Sequence, residues 1–291
     1  MKKYVDYDYE EAFRKNVEDL QEEGIRECLE RGREYALKEI RSGNQLEIEI
    51  YPEYTRRELP ESFVRKKNPE AVRAMHDKNR RKRLERLINA NFSDGDYWCT
   101  FTYDKDHIPE SFEEAQKETK RFLRRVNYRR KKKGLPSVKY ICVTEHDPDA
   151  KMRWHHHMVM DSMMDRDTVE SCWKAGGRNQ IRKMVRDEEG FAGMANYITK
   201  IKKKKPDYKK SWTSSRGLRQ PEVKKTHHKK PTRTGSYRPI RRYVREAMQN
   251  HDRIREIAEA WYPDMTFTRS EIRINPQNSG VYIYARMRRT E

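Results

Sequence analysis

The sequence predicts an α+β fold built on an antiparallel sheet, and three observations carry that reading. The segment YWCTFTY (97–103) alternates Tyr97, Cys99, Phe101 and Tyr103 with Trp98, Thr100 and Thr102, which is the period of a strand. An amphipathic helix follows it. After that helix, VKYICVTE (138–145) and RWHHHMVM (153–160) flank the turn-like HDPDAK and read as a hairpin. A strand, a helix and then an antiparallel hairpin is an α+β order.

The remaining elements follow in chain order. Residues 8 to about 41 are rich in Glu, Arg, Leu and Ala without Pro, and read as one or two exposed helices. LEIEIYP (46–52) alternates like a short strand, and a Pro-interrupted basic segment leads to a helix over about 69–90 that ends in the turn INANFSDGD. Ser111 with Glu114 forms a capping-box pattern ahead of a helix whose stripe is Phe112, Ala115, Phe122, Leu123 and Val126. The distal end of that helix, RFLRRVNYRRKKKG, holds eight basic residues and no acidic one. Asp167 and Glu170 open a short helix that Gly176 and Gly177 end, RNQIRKM reads as a further strand, and a helix spans Phe191 to Ile201. A last helix is expected from Arg238 to Trp261, then a hairpin of FTRSEIRIN and VYIYARM around PQNSG. These elements divide the chain into a charged helical extension (1–92), a core (93–236), and a C-terminal helix and hairpin (237–291) that packs on or completes the core.

Charge points to the partner. The 291 residues carry 66 Lys and Arg against 47 Asp and Glu, a formal net charge of +19. Nucleic acid is the default partner of such a surface, because each neutralised phosphate releases counterions. Cys28, Cys99, Cys142 and Cys172 include no CxxC pair, so neither a disulfide framework nor a cysteine zinc site is expected, and a reduced cytoplasm fits. No apolar run approaches the ~20 residues of a membrane span, and MKKYVDYDYEE lacks the apolar centre of a signal peptide. A soluble, cytoplasmic protein is the expectation.

Two constellations carry chemistry. His155 and His157 lie two apart on a strand, so both imidazoles leave one face with origins roughly 6 to 7 Å apart and can grip one ion. The apolar MVM that follows puts the run inside a core strand, where histidines need partners. Hairpin pairing can bring the Glu145 carboxylate beside them, with His146, Asp147 or a water as alternatives. A His-His-Glu set leaves coordination positions open for a phosphate. His156 points to the opposite face as a packing or hydrogen-bonding residue.

The second constellation is Tyr197 and Lys200 in NYITKIKKKK. Three apart on a helix, a phenol and an ammonium share one face, roughly opposite the stripe of Phe191, Met194, Ala195, Ile198 and Ile201. A free tyrosine has a pKa near ~10, so attack on a phosphodiester calls for a metal that polarises the phosphate and a cation that favours the developing charge. Tyr197 is the expected nucleophile and Lys200 its electrostatic helper. Thr102, Arg129, Arg130, Lys202, Lys203, Lys204, Trp212 and Arg216 are the expected DNA contacts, with Trp154, Tyr208 and Tyr237 as further aromatics among basic residues.

At these residues the chain resembles the HUH endonuclease superfamily, specifically rolling-circle replication initiators of the filamentous-phage type. CTFTYD (99–104), HHHMVM (155–160) and NYITK (196–200) look like the three motifs of that family, in order, and WTSSRGLRQPEVKK with the ending VYIYARMRR extends the likeness over about residues 78–291. The resemblance implies a five-stranded antiparallel sheet bearing the histidines, and a tyrosine on a flanking helix. It implies Mg or Mn, single-stranded or hairpin origin DNA, a 5′-phosphotyrosine intermediate, and a free 3′-OH that primes a host polymerase working with a host helicase. The sequence departs from the pattern in placing His156 between the paired histidines, and only one tyrosine stands in the third motif. The same chemistry would serve a conjugative or plasmid relaxase or a single-tyrosine transposase. A basic DNA-binding regulator with structural histidines is the reading from another class.

Overall fold

The computed structural model describes residues 34–53, 69–147, 152–198, 212–231, 237–275 and 280–289. The elements are β1 (Tyr35–Ser42), β2 (Gln45–Pro52), α1 (Pro69–Asn91), β3 (Tyr97–Thr102), α2 (Phe112–Lys132), β4 (Tyr140–Asp147) and β5 (Met152–Met160). They continue as α3 (Arg166–Glu170), β6 (Gln180–Lys183), α4 (Ala192–Ile198), β7 (Thr213–Ser214), β8 (Glu222–His227), β9 (Lys229–Pro231) and β10 (Tyr237–Pro239). The last four are α5 (Ile240–Gln249), α6 (Arg253–Trp261), β11 (Met265–Asn275) and β12 (Gly280–Arg289). The chain is α+β, with antiparallel sheets, and it divides into two compact units.

One unit gathers the described residues up to Arg83, Glu188–Gly190, and those from Pro221 onward. Its five-stranded sheet has the order β11-β12-β2-β1-β8, with every neighbour antiparallel. Leu37, Leu46, Ile48, Ile50, Ile272 and Ile283 of the sheet bury against Ile240, Val244, Ala247 and Ile254 of α5 and α6.

This unit corrects three expectations. Tyr35–Ser42, within the stretch expected to be helical, is a strand. Gly43, with φ of 60°, turns the chain so that residues 35–42 pair in register with 45–52, and Leu37 and Ile40 become buried. Non-local pairing there outweighs local helix propensity. The expected boundaries at 92 and 236 do not match the units either. The C-terminal hairpin pairs through β12 with β2, and β8 pairs with β1, so the strands near both ends of the described chain share a sheet of their own. Finally, the helix expected from Arg238 to Trp261 is two helices. Asn250 is extended, at φ −150° and ψ 116°, and its side-chain oxygen accepts from the Asp252 amide at 2.9 Å, an Asx turn that competes with helical bonding.

The other unit comprises Leu84–Asp187 and Phe191–Gln220 among the described residues. Its sheet has the order β6-β3-β5-β4-β7, again antiparallel throughout. Strand alternation gives the sheet two apolar faces. Cys99, Phe101, Cys142, Met158 and Met160 bury against Phe122, Leu123 and Val126 of α2. Ile141, Val143 and Val159 bury on the other side with Leu84, Leu87 and Ile88 of α1 and Ala195 and Ile198 of α4. At the start of α2 Ser111 Oγ accepts from the Glu114 amide at 3.2 Å, as the sequence pattern predicts, while the Glu114 carboxylate accepts from the amide of Glu110, one residue before the cap, at 2.9 Å.

Within this unit Arg130 is 1% exposed and forms a two-pronged ion pair with Asp161. Asp161 also accepts from the backbone amides of Lys139, at 2.6 Å, and Met163, at 3.2 Å, so one carboxylate ties α2 to the ends of β4 and β5. Removing one partner strands a buried charge. Asp161→Ala is therefore expected to destabilise the protein by about 3–5 kcal/mol in urea unfolding, whereas Lys133→Ala, which removes an exposed pairing with Asp165, changes stability by less than about 1 kcal/mol.

Candidate metal centre

The antiparallel register of three strands assembles the site. In β5, Thr102 and Glu145 stand opposite His155, while Thr100 and Val143 stand opposite His157. All of these side chains share the face that carries Val159, because residues two apart on a strand point the same way. His156 points to the other face.

Glu145, His155 and His157 converge, with ligand atoms all within 4.8 Å of one another. Glu145 Oε2 lies 3.2 Å from His155 Nε2 and 3.8 Å from His157 Nε2. The opposite nitrogen of each ring is held from behind. His155 Nδ1 lies 2.9 Å from the Arg153 carbonyl, and His157 Nδ1 lies 3.2 Å from Thr100 Oγ1. A carbonyl only accepts, so His155 Nδ1 donates to Arg153 and leaves Nε2 facing the Glu145 carboxylate. Two imidazole nitrogens and a carboxylate so gathered, with the far side of each ring held, are a group that could hold a metal ion. His146 is turned away, its ring stacked at 4.2 Å on Trp154.

The central histidine has a different role. His156 is fully buried, with Nε2 2.6 Å from the Tyr103 hydroxyl and Nδ1 2.9 Å from Thr144 Oγ1. Burial, aided by its two histidine neighbours, lowers its pKa to about 3, so the ring is a neutral member of the core. The same burial raises the pKa of Tyr103.

Tyr197 sits over the metal face. On α4, Ala192, Ala195 and Ile198 are buried and Tyr197 is 54% exposed. Its ring meets the His157 ring edge-on at 5.4 Å and the Trp98 ring at 6.2 Å. Trp98 in turn lies flat on His157, at 5.3 Å and 11°. The start of α4 is anchored to α1 by the Phe191 amide, which donates to Asn89 Oδ1 at 3.0 Å.

The other expected contacts divide. Trp212 packs at the edge of the apolar cluster on the metal face, and Arg216 is exposed in the turn after β7. Thr102 donates to the Arg178 carbonyl at 2.9 Å, beside His155. Arg129 belongs to α2 on the opposite face, where it donates to the Thr168 carbonyl and Ser171 Oγ. Arg130, buried against Asp161, is removed from the DNA contacts, because a two-pronged buried pair leaves no face for a phosphate. Trp154, 7% exposed, is packing rather than a base platform. Lys200, Lys202, Lys203, Lys204 and Tyr208 lie outside the described residues, as does the expected helical segment before residue 34.

Sequence reasoning missed Trp98 and the loop Trp173–Asn179. Alternation alone sets Trp98 on the face of Thr100 and Thr102. The loop is clamped to the end of β3: Trp173 Nε1 donates to the Thr102 carbonyl at 2.9 Å, and a Cβ on Gly177, at φ +80°, would fall 2.5 Å from that same carbonyl oxygen. Only glycine allows this approach.

The family model described as Replication-associated protein ORF2 matches residues 96–204. The match begins just before β3 and takes in Thr100, Glu145, His155, His157 and Tyr197. The segment is thus similar to replication-associated proteins over less than half of the chain. No curated protein and no solved structure matches the chain. No described helix is long and apolar enough to cross a membrane.

Thr100→Val keeps the shape of the strand and removes the hydroxyl behind His157. It is expected to weaken Mn binding by about 10–100-fold in calorimetric titration with little change in the unfolding midpoint. Unchanged affinity would rule out the hydroxyl as an orienting group.

Proposed function

We propose that this chain initiates rolling-circle replication by nicking single-stranded origin DNA with Tyr197. The observation that carries the reading is the Tyr197 ring 5.4 Å from His157, at the edge of a Glu145, His155 and His157 donor set, inside the segment that resembles replication-associated proteins. A divalent cation such as Mg or Mn, held by those three residues, supplies polarisation of the scissile phosphate and neutralises its charge.

The chain's own residues supply the rest. Tyr197 Oη forms a bond to phosphorus as the bond from phosphorus to the 3′ oxygen breaks. The phenolic proton is balanced by the one the leaving 3′ oxygen takes up, so the products are a 5′-phosphotyrosine and a free 3′-OH. One phosphoester replaces another, and the 3′-OH can prime a host polymerase. Trp98 holds the His157 ring plane, and the Arg153 carbonyl and Thr100 fix which nitrogens face the ion. Half-exposed on α4, Tyr197 can meet a strand laid across the metal face. Lys200, three residues further on in sequence, is proposed to favour the developing negative charge. The replication description of the matched family favours an initiator over a relaxase or transposase of the same chemistry.

Single-stranded oligonucleotides from the DNA flanking the gene, incubated with Mn, are expected to give a covalent adduct with wild type that survives denaturing electrophoresis. Tyr197→Phe keeps the ring contacts and loses the nucleophile, so the adduct should fall by at least ~10³-fold with DNA affinity unchanged. An adduct that persists in Tyr197→Phe would overturn the assignment of the nucleophile. Replacing His155 and His157 together by Ala is expected to abolish cleavage while salt-sensitive binding persists, since Lys and Arg supply the phosphate contacts. Parallel loss of binding, cleavage and cooperative unfolding would instead mark the histidines as structural.

A further inference from the structure

A second basic site lies on the sheet face opposite the metal centre. Arg124, Arg125, Tyr128 and Arg129 of α2 line a groove of about 310 Å³ together with Ser171 and Lys174 from the segment after α3. Positions 124, 125, 128 and 129 fall on one side of a helix, so the sequence RRVNYR projects three guanidinium groups and a phenol in one direction.

Two of the arginines are held in place before any ligand arrives. Arg125 donates to Glu118, at 3.1 Å, and to the Cys172 carbonyl, at 3.1 Å. Arg129 donates to the Thr168 carbonyl at 3.2 Å and to Ser171 Oγ at 2.5 Å. A guanidinium has five donor hydrogens, so each retains donors for a further acceptor. Arg124 and Lys174 are exposed and have no ion pair among the described residues. Tyr128 is 61% exposed, a large aromatic on the surface, with the Lys132 ammonium 4.7 Å from its ring centroid.

Basic residues in the last turn of a helix already complement its dipole, and that role accounts for Arg129, Arg130, Lys131 and Lys132. It does not account for Arg124 and Arg125 two turns earlier, for a lysine brought in from another element, or for an exposed tyrosine among them. Cations that track phosphates beside an aromatic that stacks a base are the two components of a single-strand site. A duplex hides its base faces, and an acidic peptide has no use for the ring.

We propose that this groove binds a segment of single-stranded DNA separate from the segment at the metal centre. The proposal does not rest on the nicking reaction, because binding in EDTA tests it whether or not Tyr197 is a nucleophile.

The test is fluorescence anisotropy of the full chain in EDTA with a ~30-nucleotide oligo-dT, an abasic strand of equal charge and a duplex. Arg124→Gln/Lys174→Gln is expected to weaken oligo-dT binding by about 10-fold at 0.15 M salt and to lower the magnitude of the log–log salt slope by about 1.4, the loss of two phosphate contacts. Arg124→Lys/Lys174→Arg keeps both charges and should leave the slope as in wild type. Tyr128→Ala should weaken oligo-dT by about 10-fold while the abasic strand binds as before. An unchanged affinity and slope in the Gln variant overturns the proposal, as does equal loss for abasic and base-bearing strands in Tyr128→Ala, or a duplex that competes as well as oligo-dT. Failure of nicking with these binding results intact would sink the catalytic reading and leave this one standing.

Discussion

The site depends on the register between β3, β5 and β4. Strand alternation sends His155 and His157 to one face, and only a fixed pairing places Glu145 across from His155 and Thr100 across from His157. A slip of one residue on β5 would carry His156 to the face of Glu145 and send the other two imidazoles to the α2 face. The alignment is therefore a requirement of the candidate site as much as of the fold.

His156 is what holds that alignment. An imidazole with no exposure is costly unless both nitrogens are satisfied, and Tyr103 and Thr144 satisfy both in one register alone. The Tyr103 hydroxyl at 2.6 Å and the Thr144 hydroxyl at 2.9 Å come from the strand end of β3 and from β4, so one buried ring reads the position of both neighbours of β5. The third histidine departs from the paired pattern of the resembled family, and its place in the core accounts for it without a metal role. A polar group inside an apolar cluster here specifies where the strand sits, a use of buried polarity that is distinct from adding stability.

Much of the second unit was legible in the sequence because its signals are local. The alternation in 97–103, the Ser111 and Glu114 cap, and the hairpin around 148–151 each depend on residues within a few positions of one another. Glu145 was one of several acceptable third ligands until pairing put it opposite His155, because register is set by contacts between strands. The first unit was less legible for the same reason. Residues 35–42 have helix-forming composition, and they become a strand through partners at 45–52, at 222–227 and, through β2, at 280–289. No local window contains that information. Arg130 misled for a related cause: in the run RRKKK it is indistinguishable from its neighbours, and only the arrival of Asp161, 31 positions away, selects it for burial.

Among the described residues the helix that carries Tyr197 runs from Ala192 to Ile198, and two turns of helix have little stability of their own in water. Its stability has to come from the apolar face it buries, Ala195 and Ile198 beside Val143 and Val159, and from the Asn89 side chain at its start. The energetics of the tyrosine's position are thus those of the cluster beneath it. The edge contacts with His157 and Trp98 add a modest directional preference, on the order of 1 kcal/mol each at most. The division of labour between buried Ile198 and half-exposed Tyr197 on adjacent positions sets the phenol beside His157 while the helix stays packed, the placement that the proposed attack on phosphorus calls for.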